Sequence, residues 1–121
     1  MSITLIANII TGIVAALHVW FLVLEMFLWK TASGRRTFGT TKEFAEESAK
    51  LAANQGLYNG FLAVGLVWGL ISPEYNLEIK TFFLACVVVA GIYGAITVKP
   101  LILFIQALPA AVALGLLWLH I

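Results

Sequence analysis

The chain has 121 residues, of which 62% are hydrophobic and only 11% are charged. A soluble domain of this size exposes much of its mass to water and needs polar side chains to cover that surface, which this composition does not supply. The formal net charge is +1, and phosphate binding needs clustered lysine and arginine, so the sequence argues against a nucleic-acid partner. We therefore expect an integral membrane protein whose main partner is the lipid bilayer.

Four apolar runs each reach the roughly 20 residues that a membrane-spanning helix needs. They cover residues 3–29, 51–71, 79–98 and 101–121. The first run is too long for a signal peptide and lacks a basic start, so it is expected to remain as an anchor. Lys99 and Pro100 separate the last two runs, and proline is tolerated in the first turn of a helix, so these runs should form a tight hairpin. The sequence predicts one all-α domain over residues 1–121, a four-transmembrane-helix bundle with short loops.

The one long loop covers residues 30–50, and its second half has a helical pattern. Thr40 and Glu43 fit a capping box, in which each side chain accepts a hydrogen bond from a backbone N–H of the first turn. The helix of the second span should therefore begin near Thr41, in the cytoplasm, and continue into the membrane.

The basic residues are unevenly divided between the two faces of this arrangement. Only Lys80 falls on one face, whereas six fall on the other: Lys30, Arg35, Arg36, Lys42, Lys50 and Lys99. The positive-inside rule makes the second face cytoplasmic. With four spans both termini then lie outside, Trp118 and His120 lie at the outer interface, and Trp29 lies at the inner interface, where amphipathic rings are favoured.

Two ionisable residues occur within the first span. His18 and Glu25 are seven residues apart, so they lie on one face of a helix. An ionisable side chain in hydrocarbon costs about 2–3 kcal/mol or more, so such residues normally face the interior of a bundle. Glu25 is only about 6 Å along the axis from Trp29 and is within reach of interfacial water or of a loop arginine. His18 is about 16 Å deep by the same rise, so an interior partner is expected.

The second span opens with a polar stretch just inside the membrane. Asn54 with Tyr58 and Gln55 with Asn59 are four residues apart, so they form two adjoining stripes of hydrogen-bonding side chains. The same span has glycines at a spacing that lets helices approach closely, which favours a homo-oligomer: Gly56, Gly60, Gly65 and Gly69. The polar stripes fit interhelical adhesion as well as a binding site.

Polar residues from all four spans lie about 5–12 Å from the cytoplasmic boundary at 1.5 Å per residue. Together with His18 they predict one pocket for a small molecule or ion, whose ligand-binding residues are His18, Glu25, Asn54, Gln55, Tyr58, Asn59, Tyr93 and Gln106. Cys86 is the only cysteine, and a histidine and a glutamate from one helix are too few ligands for a metal. Neither a metal ion nor a cofactor is expected.

Three features of the sequence occur together: His18 with Glu25, the Asn-Gln-Gly-Leu-Tyr-Asn-Gly-Phe stretch over residues 54–61, and the Lys99-Pro100 turn. This combination resembles a family of small bacterial membrane proteins catalogued as a domain of unknown function. The resemblance covers essentially the whole chain and implies a four-helix fold in the bacterial cytoplasmic membrane. Some members carry an automatic epimerase label, but the G-x-G-x-x-G fingerprint of a sugar-nucleotide enzyme is absent from this sequence.

Three functions fit these residues. The first is binding or transport of a small solute, ion or proton, with Glu25 and His18 as ionisable groups. The second is a membrane-embedded isomerase-type enzyme, in which one of these two residues moves a proton on a lipid-soluble substrate and Tyr58 or an amide polarises that substrate. The third is a structural or partner-binding protein whose polar groups only fix the helix register. The sequence has no recognised catalytic motif, so binding or transport is preferred.

Overall fold

The computed structural model describes residues 2–119, and this part of the chain is helical without a β-strand. The elements are α1 (Ile3–Met26), α2 (Ala32–Phe38), α3 (Lys42–Ile71), α4 (Asn76–Thr97), a π-helical turn (Leu103–Ala107) and α5 (Leu108–Leu119). The predicted all-α class is confirmed. His120, expected at the outer interface, and Ile121, the last residue of the fourth predicted span, lie outside the described residues.

A short helix, α2, occupies the first half of the long loop, where the sequence predicts no helix. It begins after Thr31, whose hydroxyl oxygen accepts a hydrogen bond of 3.1 Å from the Gly34 N–H, as an N-terminal cap does. It ends at Gly39, whose φ of 68° lies in the left-handed region that glycine adopts without strain. Because this helix is short and polar, hydrophobic periodicity does not reveal it.

The long helix α3 begins one residue after Thr41, as predicted. Its cap differs from the expected one, because the Thr41 hydroxyl oxygen accepts the hydrogen bond from the Phe44 N–H, at 3.1 Å. The predicted capping box of Thr40 and Glu43 is therefore wrong by one residue. With Thr41 as the cap, the third helical position is Phe44, whose side chain has no acceptor to complete a box.

The segment that leads into α5 is wider than a regular α-helix. The Leu108 N–H bonds to the Leu103 carbonyl oxygen, five residues back, and Pro109 follows directly. In a regular helix the proline ring would clash with the carbonyl four residues earlier, and proline has no N–H to bond to it. Pro109 thus gives a physical reason for the π-helical turn.

The chain divides into two compact units, and α1 and α3 contribute to both. The larger unit is formed by Met1–Ala16 and Leu62–Ile121, described over residues 2–16 and 62–119, and the smaller unit by Leu17–Phe61. The core of the larger unit consists of small and branched side chains: Ala7, Val14, Ala15, Leu66, Leu84, Val87, Ala110, Ala113 and Leu117. The alanines let the helices of this unit approach closely.

The four glycines of α3 serve contacts inside these units. Gly56 and Gly60 face α1 in the smaller unit, and Gly65 and Gly69 face α4 in the larger unit. A Cβ atom on any of the four would lie 2.7 Å or less from a side-chain atom of the facing helix. The predicted homo-oligomer stays a prediction, and it would need a surface other than these glycine faces.

Two helices, α1 and α4, are long and apolar enough to cross a membrane. Only 28% of the most apolar stretch of α1 and 22% of that of α4 is buried within the protein, whereas an apolar helix of a soluble protein is mostly buried. These helices suggest association with a membrane. The other two predicted spans differ from α1 and α4. The amides of Asn54, Gln55 and Asn59 lower the hydropathy of α3, and the apolar segment Leu103–Leu119 is shorter than α1 and α4.

Candidate functional site

Glu25 lies in the last turn of α1, within the smaller unit. Its side chain is 6% exposed, and its Oε1 accepts a hydrogen bond of 2.5 Å from Asn59 Nδ2 of α3. The two helices approach closely because Gly56 has no side chain, and a Cβ atom there would lie 3.1 Å from Glu25 Cβ. A buried predicted acid and a half-buried predicted amide therefore form a hydrogen-bonded pair.

His18 is buried two turns earlier on α1, with 1% of its surface exposed. Its ring meets that of Phe21 edge to face, with the centroids 5.3 Å apart and the planes inclined by 72°. Such an arrangement stabilises an aromatic pair. Both ionisable residues of α1 thus lie away from the surface, as their spacing of seven residues leads us to expect.

A cavity of about 260 Å³ lies beside Glu25 in the smaller unit. Its walls come from the end of α1, the following turn and one residue of α3: Glu25, Met26, Phe27, Trp29, Lys30, Thr31 and Ala49. The Trp29 ring is held in place, because its Nε1 donates a hydrogen bond of 3.0 Å to Ser48 Oγ and its centroid is 4.8 Å from that of Phe38. We call this space the Glu25 cavity.

Three other predicted ligand-binding residues do not line the Glu25 cavity. Asn54, Gln55 and Tyr58 occupy exposed positions of α3, and none of them lines the cavity. Asn54 and Tyr58 lie two residues to either side of Gly56, which is about 160° around a helix. Since Gly56 faces α1, these two side chains lie on the opposite face of α3.

The last two predicted residues, Tyr93 and Gln106, belong to the larger unit. Gln106 is half-buried in the π-helical turn. Tyr93 is 69% exposed, on an open apolar surface along α4 with Phe82, Ala85, Cys86, Val89 and Ala90. The residues lining this surface carry no formal charge, and apolar side chains of this kind suit contact with lipid chains. One pocket shared by all eight predicted residues stays a prediction.

A second polar pair, a buried lysine with a half-buried amide, lies in the larger unit. Lys80, near the start of α4, is 2% exposed, and its Nζ donates a hydrogen bond of 2.7 Å to Asn8 Oδ1 of α1. From the sequence, Lys80 is expected only as the one basic residue of the outer face, and Asn8 is overlooked. The position of Asn8 inside an apolar run could have indicated its role, because a polar residue there usually pairs with another polar group or serves a function.

The chemistry that the Glu25 cavity offers is ionic and hydrogen-bonding. An ionised carboxylate has about four acceptor positions, and the Asn59 amide occupies one of those of Glu25. Lys30 and Trp29 line the same space. Within residues 2–119 no group of three or more His, Cys, Asp or Glu side chains could hold a metal ion.

The fold and the site define an all-α protein with two apolar helices of membrane-spanning length and a buried carboxylate that pairs with an amide. Residues 12–118 match the family described as Protein of unknown function (DUF1304), and the chain belongs to this family. It is similar to Uncharacterized protein YpaA of Lactococcus lactis subsp. lactis (strain IL1403), with 31% identity over 112 residues, 90% of this chain and 94% of that protein. No solved structure matches the chain. The predicted membership of a family catalogued as a domain of unknown function is confirmed.

Proposed function

We propose that this protein crosses the membrane four times and binds a small cationic solute, ion or proton at Glu25 as part of a binding or transport cycle. The observation that supports this proposal is a buried carboxylate beside a cavity, with an amide as its hydrogen-bond partner. An ionised carboxylate out of water needs compensating charge. The Asn59 amide supplies a dipole, and a cation or proton in the cavity would supply the charge.

Access to Glu25 also supports a binding function. Phe27, which is 70% exposed, and Lys30, at an exposed position, both line the Glu25 cavity. The space beside the carboxylate therefore reaches the surface of the smaller unit. A ligand could enter and leave without the unfolding of α1.

Two segments besides α1 and α4 would complete the four crossings. The 30 residues of α3 extend about 45 Å at 1.5 Å per residue, enough for a span and a charged extension into the cytoplasm. The apolar segment Leu103–Leu119 extends about 25 Å at the same rise, close to the roughly 30 Å of the hydrocarbon core. The proposed location is the bacterial cytoplasmic membrane, with both termini outside.

A C-terminal fusion to an enzyme that is active only outside the cytoplasm should be active in whole cells. The physical reason is that six of the seven basic residues border one side of the proposed bundle. The same reporter inserted after Phe38, in the proposed cytoplasmic loop, is the matched control and should be inactive. Activity of the loop fusion without activity of the C-terminal fusion would overturn the proposed direction.

Glu25→Gln should abolish cation binding while leaving the protein folded, because it removes the charge and keeps the size and most of the hydrogen-bonding capacity. The probe is ethylammonium chloride, compared with sodium chloride at equal ionic strength, and the readout is thermal unfolding of the purified protein in detergent. A ligand at 100 times its Kd stabilises the folded state by about 2.7 kcal/mol. The parent protein should show such a shift, and the variant should not.

The matched control is Glu47→Gln, at an exposed position of α3 in the same unit, which should keep the full response to ethylammonium. An equal response in Glu25→Gln and the parent would contradict the proposal. A second pair of results would also contradict the proposal. In it, neither cation and no change of pH stabilises the parent protein, and the Glu25→Gln variant unfolds. That result would assign the buried pair a purely structural role.

A further inference from the structure

We infer that the Glu25 cavity holds a zwitterionic group, with its ammonium at the Glu25 carboxylate and its anionic part at Lys30; the inference rests on the proposed binding function of Glu25. These two residues are the charged residues that line the cavity. They differ in sign and in burial, since Glu25 is 6% exposed whereas Lys30 occupies an exposed position. A ligand that is positive at its inner end and negative at the mouth of the cavity complements both.

The mouth of the cavity has a second positive neighbour. Thr31 lines the cavity, and its carbonyl oxygen accepts a hydrogen bond of 3.4 Å from Arg35 Nε. A ligand with only a positive charge would be repelled by Lys30 and Arg35 as it entered, and one with only a negative charge would be repelled by Glu25. A ligand with both charges offsets each repulsion with an attraction, because its ammonium is drawn to Glu25 and its anionic part to Lys30 and Arg35.

The uncharged walls suit both the ammonium and the apolar parts of such a ligand. Trp29 lines the cavity, and an indole ring attracts an ammonium group that approaches its face. Met26 and Phe27 also line the cavity, and Phe27 is 70% exposed. An apolar part of the ligand could therefore lie along Phe27 outside the cavity.

The volume limits the size of the ligand. Pockets for drug-sized ligands are about 300–1,000 Å³, and the Glu25 cavity, at about 260 Å³, lies just below this range. It therefore fits a group of the size of phosphoethanolamine, with any acyl chains left outside. That chemistry has two sources, the headgroup of an ethanolamine phospholipid and a free zwitterion in the cytoplasm.

The test is thermal unfolding of the purified, delipidated protein in a non-ionic detergent, titrated separately with phosphoethanolamine, ethylammonium and inorganic phosphate. Phosphoethanolamine should bind about five-fold more tightly than ethylammonium, the factor expected for one partly exposed ion pair, and phosphate alone should not bind. Lys30→Gln should remove this preference and leave ethylammonium binding in place. Lys30→Arg should keep it, as should the control Lys42→Gln, whose residue does not line the cavity.

Salt gives a second readout that needs no variant. Raising sodium chloride from about 50 to about 500 mM should erase the preference for phosphoethanolamine, because the ion pair at Lys30 is exposed and screened. Equal affinity for both probes at low salt, or an unchanged preference in a folded Lys30→Gln variant, would overturn the inference while leaving cation binding at Glu25 intact. If neither probe binds in a Glu25-dependent way, and neither sodium nor a change of pH stabilises the parent protein, the proposed function is overturned as well.

The two sources are distinguished by adding mixed micelles of the same detergent with either phosphatidylethanolamine or phosphatidylglycerol. A Lys30-dependent shift with phosphatidylethanolamine that exceeds the shift with free phosphoethanolamine supports a lipid headgroup as the ligand. A shift with free phosphoethanolamine alone supports a soluble zwitterion. Stabilisation by phosphatidylglycerol that matches that by phosphatidylethanolamine would contradict the inference, because phosphatidylglycerol has no ammonium group for Glu25.

Discussion

Gly34→Ala should lower the free energy of unfolding by about 3 kcal/mol or more, as overpacking of a close contact does. Gly34 is buried in α2, against the turn that follows α1. A Cβ atom there would overlap the Leu28 carbonyl oxygen and would lie 2.8 Å from the Leu28 carbonyl carbon and 3.1 Å from the Trp29 carbonyl oxygen. These are backbone atoms, so rotation of a side chain cannot relieve the overlap, and the turn itself must move.

Two other glycines provide graded controls for this prediction. A Cβ atom on Gly39 would have no atom within 4 Å, but its φ of 68° makes alanine unfavourable by about 1–2 kcal/mol. A Cβ atom on Gly115 also has open space within a helix, so alanine there should be neutral or stabilise by up to about 1 kcal/mol. In chemical unfolding of the three purified variants, the loss of unfolding free energy should be largest for Gly34→Ala, smaller for Gly39→Ala and absent for Gly115→Ala. A Gly34→Ala loss no larger than that of Gly39→Ala would contradict the close approach at the turn.

Asn8→Leu should also destabilise the protein by about 3 kcal/mol or more, because it leaves the buried Lys80 ammonium without its amide acceptor. Lys80 is 2% exposed, and its Nζ lies 2.7 Å from Asn8 Oδ1. Lys80→Met should cost less, about 1–2 kcal/mol, because it leaves only a neutral amide without a donor. The measurement is reversible unfolding of each variant in mixed detergent.

The double variant Asn8→Leu/Lys80→Met provides the decisive comparison for this pair. Replacing both members of a buried polar pair by apolar residues of similar size is often neutral or stabilising. We therefore expect the double variant to recover most of the stability that Asn8→Leu loses, with a large interaction energy in the double-mutant cycle. If the stability losses of the two single variants instead add up in the double variant, the interaction energy is zero. The hydrogen bond between Lys80 and Asn8 would then not contribute to stability.

Several elements of the fold could be predicted because their signals are local. The apolar runs predict helices at the positions of α1 and α4, and the polar stretch before the second run predicts the start of α3 near Thr41. The ends are less well predicted. The first run reaches Trp29, but α1 ends at Met26 because both Phe27 and Leu28 bond through their N–H groups to the Val23 carbonyl oxygen, which closes the helix in a turn.

The Glu25 site could be predicted in part. The spacing of His18 and Glu25 places both on one face of α1, and the structure buries both. Which amide of α3 contacts Glu25 depends on the rotation of that helix about its axis. Close packing of Gly56 against α1 turns Asn59 toward Glu25 and leaves Asn54 exposed, and the spacing of polar residues alone does not contain that rotation.

By itself the sequence determined the all-α class, membership of the family and the presence of ionisable groups within apolar segments, because composition, short motifs and helical period are properties of neighbouring residues. The tertiary structure alone decided which polar groups meet. Asn59 and Glu25 are 34 residues apart and Lys80 and Asn8 are 72 apart, and each pair forms only where two helices pack. The Glu25 cavity depends on the same packing, since α1, the turn after it and α3 each supply part of its wall.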